Sequence, residues 1–144
     1  MHEQITYKSE LPLVDQYFEL FKSTRWNEEY NLTQEELAVS IKDSFYSVCA
    51  YDSDKLVGFG RFVSDGILHA MIYEMIVAPE YQRRNIGSQI LKMLLNKCFE
   101  LNIRDIQLFC AKGKRNFYER NGFAARPDDG PGMEYKSTRN TFNI

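Results

Sequence analysis

Between Val77 and Ser88 the chain reads Val-Ala-Pro-Glu-Tyr-Gln-Arg-Arg-Asn-Ile-Gly-Ser and then runs into an amphipathic helix. Helix N-termini present backbone N–H groups and about half a positive charge, so they attract anions. Arginines placed there oppose the macrodipole at a cost of roughly 0.3–1 kcal/mol. Arg83 and Arg84 therefore point to an outside anion, such as a doubly charged phosphate; the plain alternative is a turn-to-helix transition with solvated arginines. Glu74 is the one charged residue in the apolar run Ile67 to Val77. A carboxylate in such a strand needs a partner or a raised pKa, and a raised pKa suits it to taking a proton. A structural ion pair with Arg61 is the competing reading. His69 has no carboxylate or cysteine partner in the local sequence and is expected as a half-buried structural histidine. Cys110 follows a strand end without a local histidine and is expected as a buried, inert thiol.

The elements that position these residues follow from periodicity. Gln4 to Lys8 is the first predicted strand. Leu13, Val14, Tyr17, Phe18 and Phe21 fall at helical spacing, predicting a helix that ends near Thr24. Thr33 and Glu36 form a capping box for a second helix through Lys42. Phe45 to Tyr51 and Leu56 to Val63 are predicted strands joined at Asp52-Ser53-Asp54, and Asp65-Gly66 turns the chain into Ile67 to Val77. That last strand is expected to be central and covered on both faces. The helix Ile86 to Leu101 carries Ile90, Leu91, Leu94, Leu95 and Cys98 on one stripe. Ile106 to Cys110 is a strand, and Arg115 to Asn121 a short helix stopped by Gly122. Phe123 to Ala125 and Met133 to Tyr135 are expected to pair around the Pro127–Gly132 loop. The order is that of a mixed α+β domain, expected as one domain over residues 1–136 with a frayed tail over 137–144.

Composition narrows the function. A net charge of −2 argues against nucleic-acid binding by bulk electrostatics. No apolar run nears the ~18 residues of a membrane span, and the N-terminus lacks the regions of a signal peptide. Three cysteines without metal-ligand spacing are expected to be reduced thiols in a cytoplasmic protein, with no metal site. A Gly-Lys-Ser/Thr phosphate loop is absent, which ranks a nucleotide-phosphate binder last.

Gln82-Arg83-Arg84-Asn85-Ile86-Gly87, after its Val-Ala-Pro turn, resembles the acetyl-CoA-binding motif of the GNAT N-acetyltransferases, Gln/Arg-x-x-Gly-x-Gly/Ala. Asn116-Phe117-Tyr118-Glu119-Arg120-Asn121-Gly122-Phe123 is similar to the family's later Phe-Tyr-x-x-x-Gly-Phe signature. The resemblance spans about Ile5 to Tyr135. It implies a GNAT-like (acyl-CoA N-acyltransferase) fold: a mixed, mostly antiparallel central sheet flanked by helices, with strands splayed at the cofactor cleft. It further implies that the backbone of Gln82, Arg83, Arg84, Asn85, Ile86, Gly87 and Ser88 wraps the pyrophosphate of acetyl-CoA. Ile76 and Val77 would pair with the pantetheine arm, Tyr118 would protonate the departing thiolate, and Glu74 would be the general base.

The chain departs from the pattern in two places. Asn85 stands where the family has its first glycine, and asparagine tolerates positive φ best after glycine. Ala111-Lys112-Gly113-Lys114 stands where many members carry an asparagine, which leaves that contact open; Lys112 and Lys114 are expected as solvated surface lysines. Trp26 either lines the acceptor pocket or packs on the core. The expected reaction is direct acetyl transfer to a primary amine on a small molecule or peptide, and dimerisation of many relatives makes a homodimer an expectation. The alternative is a catalytically silent CoA-binding regulatory or sensor module.

Overall fold

The computed structural model of the protein describes residues 4–136. The tail expected over 137–144 lies outside the described residues. The chain divides into two compact units, one through Leu108 and one from Phe109.

The first unit is built on five strands: β1 (Ile5–Lys8), β2 (Tyr46–Asp52), β3 (Lys55–Ser64), β4 (His69–Val77) and β5 (Asp105–Leu108). They lie in chain order, the first four antiparallel and β5 parallel to β4. A parallel neighbour requires a crossover, which the long helix α4 (Ile86–Glu100) supplies. Between β1 and β2 the chain forms α1 (Val14–Lys22), the single turn α2 (Asn27–Tyr30) and α3 (Gln34–Lys42). The Thr33 capping box is complete: its hydroxyl accepts from the Glu36 N–H, and the Glu36 carboxylate accepts from the Thr33 N–H.

The helices take opposite faces of the sheet, and β3 shows why. Successive side chains of a strand alternate between faces. Phe59 packs edge-on against Tyr17 of α1, and these join Phe21, Leu37, Ile41 and Ile76 in one core. The opposite face of β3 carries Gly58 and Gly60, where α4 comes down onto the backbone. A Cβ on Gly60 would lie 2.8 Å from Ile90 Cγ2 and 2.7 Å from Met75 Sδ, and one on Gly58 would lie 2.9 Å from Ile90 Cδ1. Ile86, Ile90, Leu91, Leu94 and Cys98 form the buried stripe of α4, and Leu95 is only half-buried at its margin.

The strand predicted from Ile67 begins instead at His69. The Asp65 carboxylate accepts hydrogen bonds from the N–H groups of Ile67, Leu68 and His69, holding the first two in the turn. Nor is β4 covered on every position: Tyr73 is 38% exposed and His69 is exposed.

In the second unit α5 (Arg115–Arg120) is followed by Gly122 at φ +93°, as a helix stop requires. The strands expected at Phe123–Ala125 and Met133–Tyr135 do not form. Two prolines, two aspartates and two glycines crowd the loop between them. The Arg126 side chain donates to the Gly130 carbonyl instead.

Candidate active site

A bulge in β4 organises the first unit's polar residues. Between the pairs Phe59–Ile76 and Arg61–Tyr73, one β3 residue, Gly60, faces two on β4, Glu74 and Met75. Glu74 takes up the extra length with φ +50°, a left-handed conformation that costs an ordinary residue roughly 1–2 kcal/mol. Bulges bend a strand and re-aim its side chains. β5 pairs β4 only as far as Ile72, whereas β4 runs on to Val77.

Hydrogen-bond alternation decides which groups line this open edge. The Ala78 N–H donates to the Val57 carbonyl at 2.8 Å, so that pair and the Phe59–Ile76 pair are the bonded ones. The backbone groups of Ile76 therefore belong to the β3 ladder, and those of Val77 face the β5 side. The Val77 carbonyl accepts a hydrogen bond from Gln82 Nε2 at 3.0 Å. The Gln82 side chain thus staples the loop to the strand end.

After Val77, Pro79–Tyr81 forms a single 3-10 turn and the chain enters α4 through two left-handed residues, Arg83 and Asn85, both at φ +64°. Asn85 occupies the N-cap with no side-chain capping bond. Ile86, Gly87 and Ser88 form the first turn, where helix geometry gives N–H groups no intrahelical acceptor. Asn85 meets the demand for positive φ; a second such residue at Arg83 is unannounced by its type. The Tyr81 phenol donates to the Asp52 carboxylate, which raises its pKa, and its ring carries the Arg84 guanidinium at 5.3 Å. Tyr81 thereby ties the loop to the β2–β3 hairpin, a role that no sequence motif announced.

Glu74 has the Arg61 partner that its setting demanded. Arg61 Nε donates to Glu74 Oε1 at 2.6 Å, with the side chains 13% and 24% exposed. Arg61 also donates to Ser44 and lies over the Tyr73 ring. Glu74 is therefore ion-paired and still reaches solvent.

In the second unit, Tyr118 is buried between Phe117 and Phe123, both edge-on to its ring. Burial pushes its phenol up to about 12, with the neighbouring Cys110 adding to the shift. It holds its proton throughout the neutral range. Lys112 and Lys114 are exposed.

Two minor expectations need revision. Cys110 is exposed, not buried, because the chain leaves β5 before reaching it. His69 is exposed and does have a carboxylate, Asp105, 3.5 Å away across the parallel pair, a neighbour that only the register supplies. Trp26 packs edge-on against Phe21 at the margin of the core. Cys49 and Cys98 are buried, and burial pushes their thiols up to about 12 and about 11. No group of His, Cys, Asp and Glu suited to a metal occurs among the described residues.

The acetyltransferase (GNAT) family model matches residues 11–123. The chain belongs to this family. The match runs through both units of the fold. A GNAT acetyltransferase structure from Streptococcus pneumoniae aligns with a TM-score of 0.79 and 29% identity, covering 93% of this chain and 98% of that one. A probable acetyltransferase of Staphylococcus aureus shares the fold at a TM-score of 0.77 and 21% identity, over 93% and 100% of the two chains. Among curated sequences, the chloroplastic GCN5-related N-acetyltransferase 2 of Arabidopsis thaliana is 34% identical over 55% of this chain and 31% of its own length. An uncharacterised N-acetyltransferase of Pyropia yezoensis is 32% identical over 56% and 47%. The GNAT chain thus spans a third to a half of the length of these curated relatives. The expected architecture, an open mixed sheet flanked by helices, is the one the GNAT structures share. No helix among the described residues is long and apolar enough to cross a membrane.

Proposed function

We propose that this GNAT chain transfers the acetyl group of acetyl-CoA directly to a primary amine, both bound together. The observation that carries the reading is the open edge of β4 leading, through one turn, into a helix N-terminus entered at positive φ. An extended arm with amide groups suits the strand edge, and a pyrophosphate suits the helix start. The Val77 N–H is the strand-edge donor for the arm and thioester end. The N–H groups of Ile86, Gly87 and Ser88 hold the phosphates, with Arg84 steadied over Tyr81 beside them.

An amine arrives as an ammonium and must lose its proton before attack. Glu74 takes that proton; its bulged backbone supports the role, since strain of this kind persists at sites where a side chain must be aimed. Attack forms the C–N bond, the C–S bond breaks, and the thiolate takes a proton from Tyr118. The motif around Tyr118 and its protonated phenol support that assignment. The acceptor is a small-molecule or peptide amine. Three free thiols fit a reducing compartment such as the cytoplasm; the Arabidopsis relative is named as chloroplastic. The test is calorimetry with CoA together with thiol release from acetyl-CoA over a panel of amines. Heat of binding with no thiol release from any amine would favour a silent CoA-binding module. Absence of both would refute the reading.

A further inference from the structure

Tyr17 lies in the middle of α1 and is 1% exposed, its ring packed on Phe59 at 5.0 Å and Phe21 at 6.0 Å. Every one of these contacts would be kept by phenylalanine. The phenol oxygen has no hydrogen-bond partner among the described residues, and no other buried side-chain nitrogen or oxygen there shares that condition. A buried hydroxyl without a partner is a destabilising choice, so its retention needs a reason.

Arg61 stands two residues beyond Phe59 on the same face of β3, where Tyr17 packs, and it holds Glu74, so this ion pair is the charged neighbour of the phenol; burial keeps the phenol protonated. In the resting arrangement Arg61 holds Glu74 through Oε1, while Glu74 Oε2 makes no hydrogen bond within the described residues. That pairing keeps the carboxylate turned to Arg61 through one oxygen and leaves Oε2 as the oxygen that can receive a proton. An incoming ammonium competes for the same carboxylate. Arg61 has other partners to fall back on, Ser44 Oγ at 3.3 Å and the Tyr73 ring at 5.4 Å. Glu74 has no such second partner unless Tyr17 supplies it.

We infer that Tyr17 is a positioning residue for Glu74, its O–H donating to the carboxylate when an ammonium acceptor draws that carboxylate off Arg61. The phenol keeps its own proton throughout. The proton that moves is the one passing from the ammonium nitrogen to a Glu74 oxygen. This rests on the proposed acetyl transfer.

The test is steady-state thiol release from acetyl-CoA, with spermidine, tyramine and a peptide bearing a free N-terminus as amine probes. Tyr17→Phe removes one oxygen and keeps the ring contacts. Its kcat is expected to fall about tenfold, with the KM for acetyl-CoA within about twofold of wild type and no loss of thermal stability. In a Glu74→Gln background the same change is expected to alter kcat less than about twofold, because its effect travels through the carboxylate. Wild-type kcat in Tyr17→Phe, or an equal drop in both backgrounds, would overturn the inference and leave acetyl transfer standing. A wild-type protein that releases no thiol with any probe would overturn both, and that result is read before any variant is made.

Discussion

The loop into α4 makes a quantitative claim at Asn85, whose φ is +64° with ψ +12°. Left-handed backbone costs an L-residue about 1–2 kcal/mol, and asparagine pays less than most because its short side chain tolerates the region. Asn85→Gly removes the Cβ strain but gives the unfolded chain more freedom, worth about 0.5–1 kcal/mol in the other direction. The two nearly cancel, so CoA affinity should stay within about twofold of wild type. Asn85→Val puts a β-branched side chain where such residues are outliers. If the loop holds its shape, the protein loses about 2 kcal/mol of stability; if φ turns negative, the N–H groups swing off the phosphates. A 2 kcal/mol loss expressed in binding is about 30-fold in Kd. Arg84→Ala leaves the backbone intact and removes a guanidinium stacked at 5.3 Å on Tyr81. An exposed guanidinium facing an anion is worth up to about 1 kcal/mol, so binding should weaken by up to about fivefold, and less in high salt. Isothermal titration of the three variants with CoA, beside their denaturation midpoints, gives the ranking. Asn85→Val with wild-type affinity and wild-type stability would refute a backbone cradle and leave the side chains to hold the anion.

Tyr118→Phe is expected to lower kcat with CoA affinity unchanged in titration, since only the proton donor is lost; because the phenol is pushed up to about 12, no alkaline fall in kcat below about pH 10 should trace to it. Glu74→Gln should reduce turnover chiefly at the lower end of the pH profile, where the amine arrives protonated, and an unchanged profile would assign the proton elsewhere. Gly60→Ala places a Cβ 2.7 Å from Met75 Sδ and 2.8 Å from Ile90 Cγ2. It should cost about 1–3 kcal/mol by overpacking, measured as a lower denaturation midpoint.

The features legible in the sequence are those where one residue type answers one local demand. Thr33 with Glu36 announces a helix start, Asn85 a left-handed step, and Asp65-Gly66 a turn whose carboxylate gathers three N–H groups. The features that stayed hidden depend on a neighbour far along the chain. The bulge at Glu74 lies within a run of strand formers and exists because Gly60 across the ladder leaves room for Met75. Arg83 is left-handed with no residue-type signal, the register alone brings Asp105 to His69, and Tyr81 meets Asp52 only once the hairpin has folded. The short α2 is a single turn without hydrophobic periodicity, closed by Asn31 in the left-handed region. The orphaned phenol of Tyr17 is invisible to a pattern that counts tyrosine as one more apolar position on a helix.

The uneven pairing of β4 also sets a clock on its amides. Ile76 is locked between β3 and the core, so its hydrogen leaves for solvent only when the sheet opens. Val77, one residue on, turns its amide away from that ladder and has no such lock. Two adjacent amides should therefore exchange at widely separated rates, and a molecule laid along the open edge should slow the second without touching the first. Such a pair is a built-in occupancy gauge for that edge, readable without any turnover.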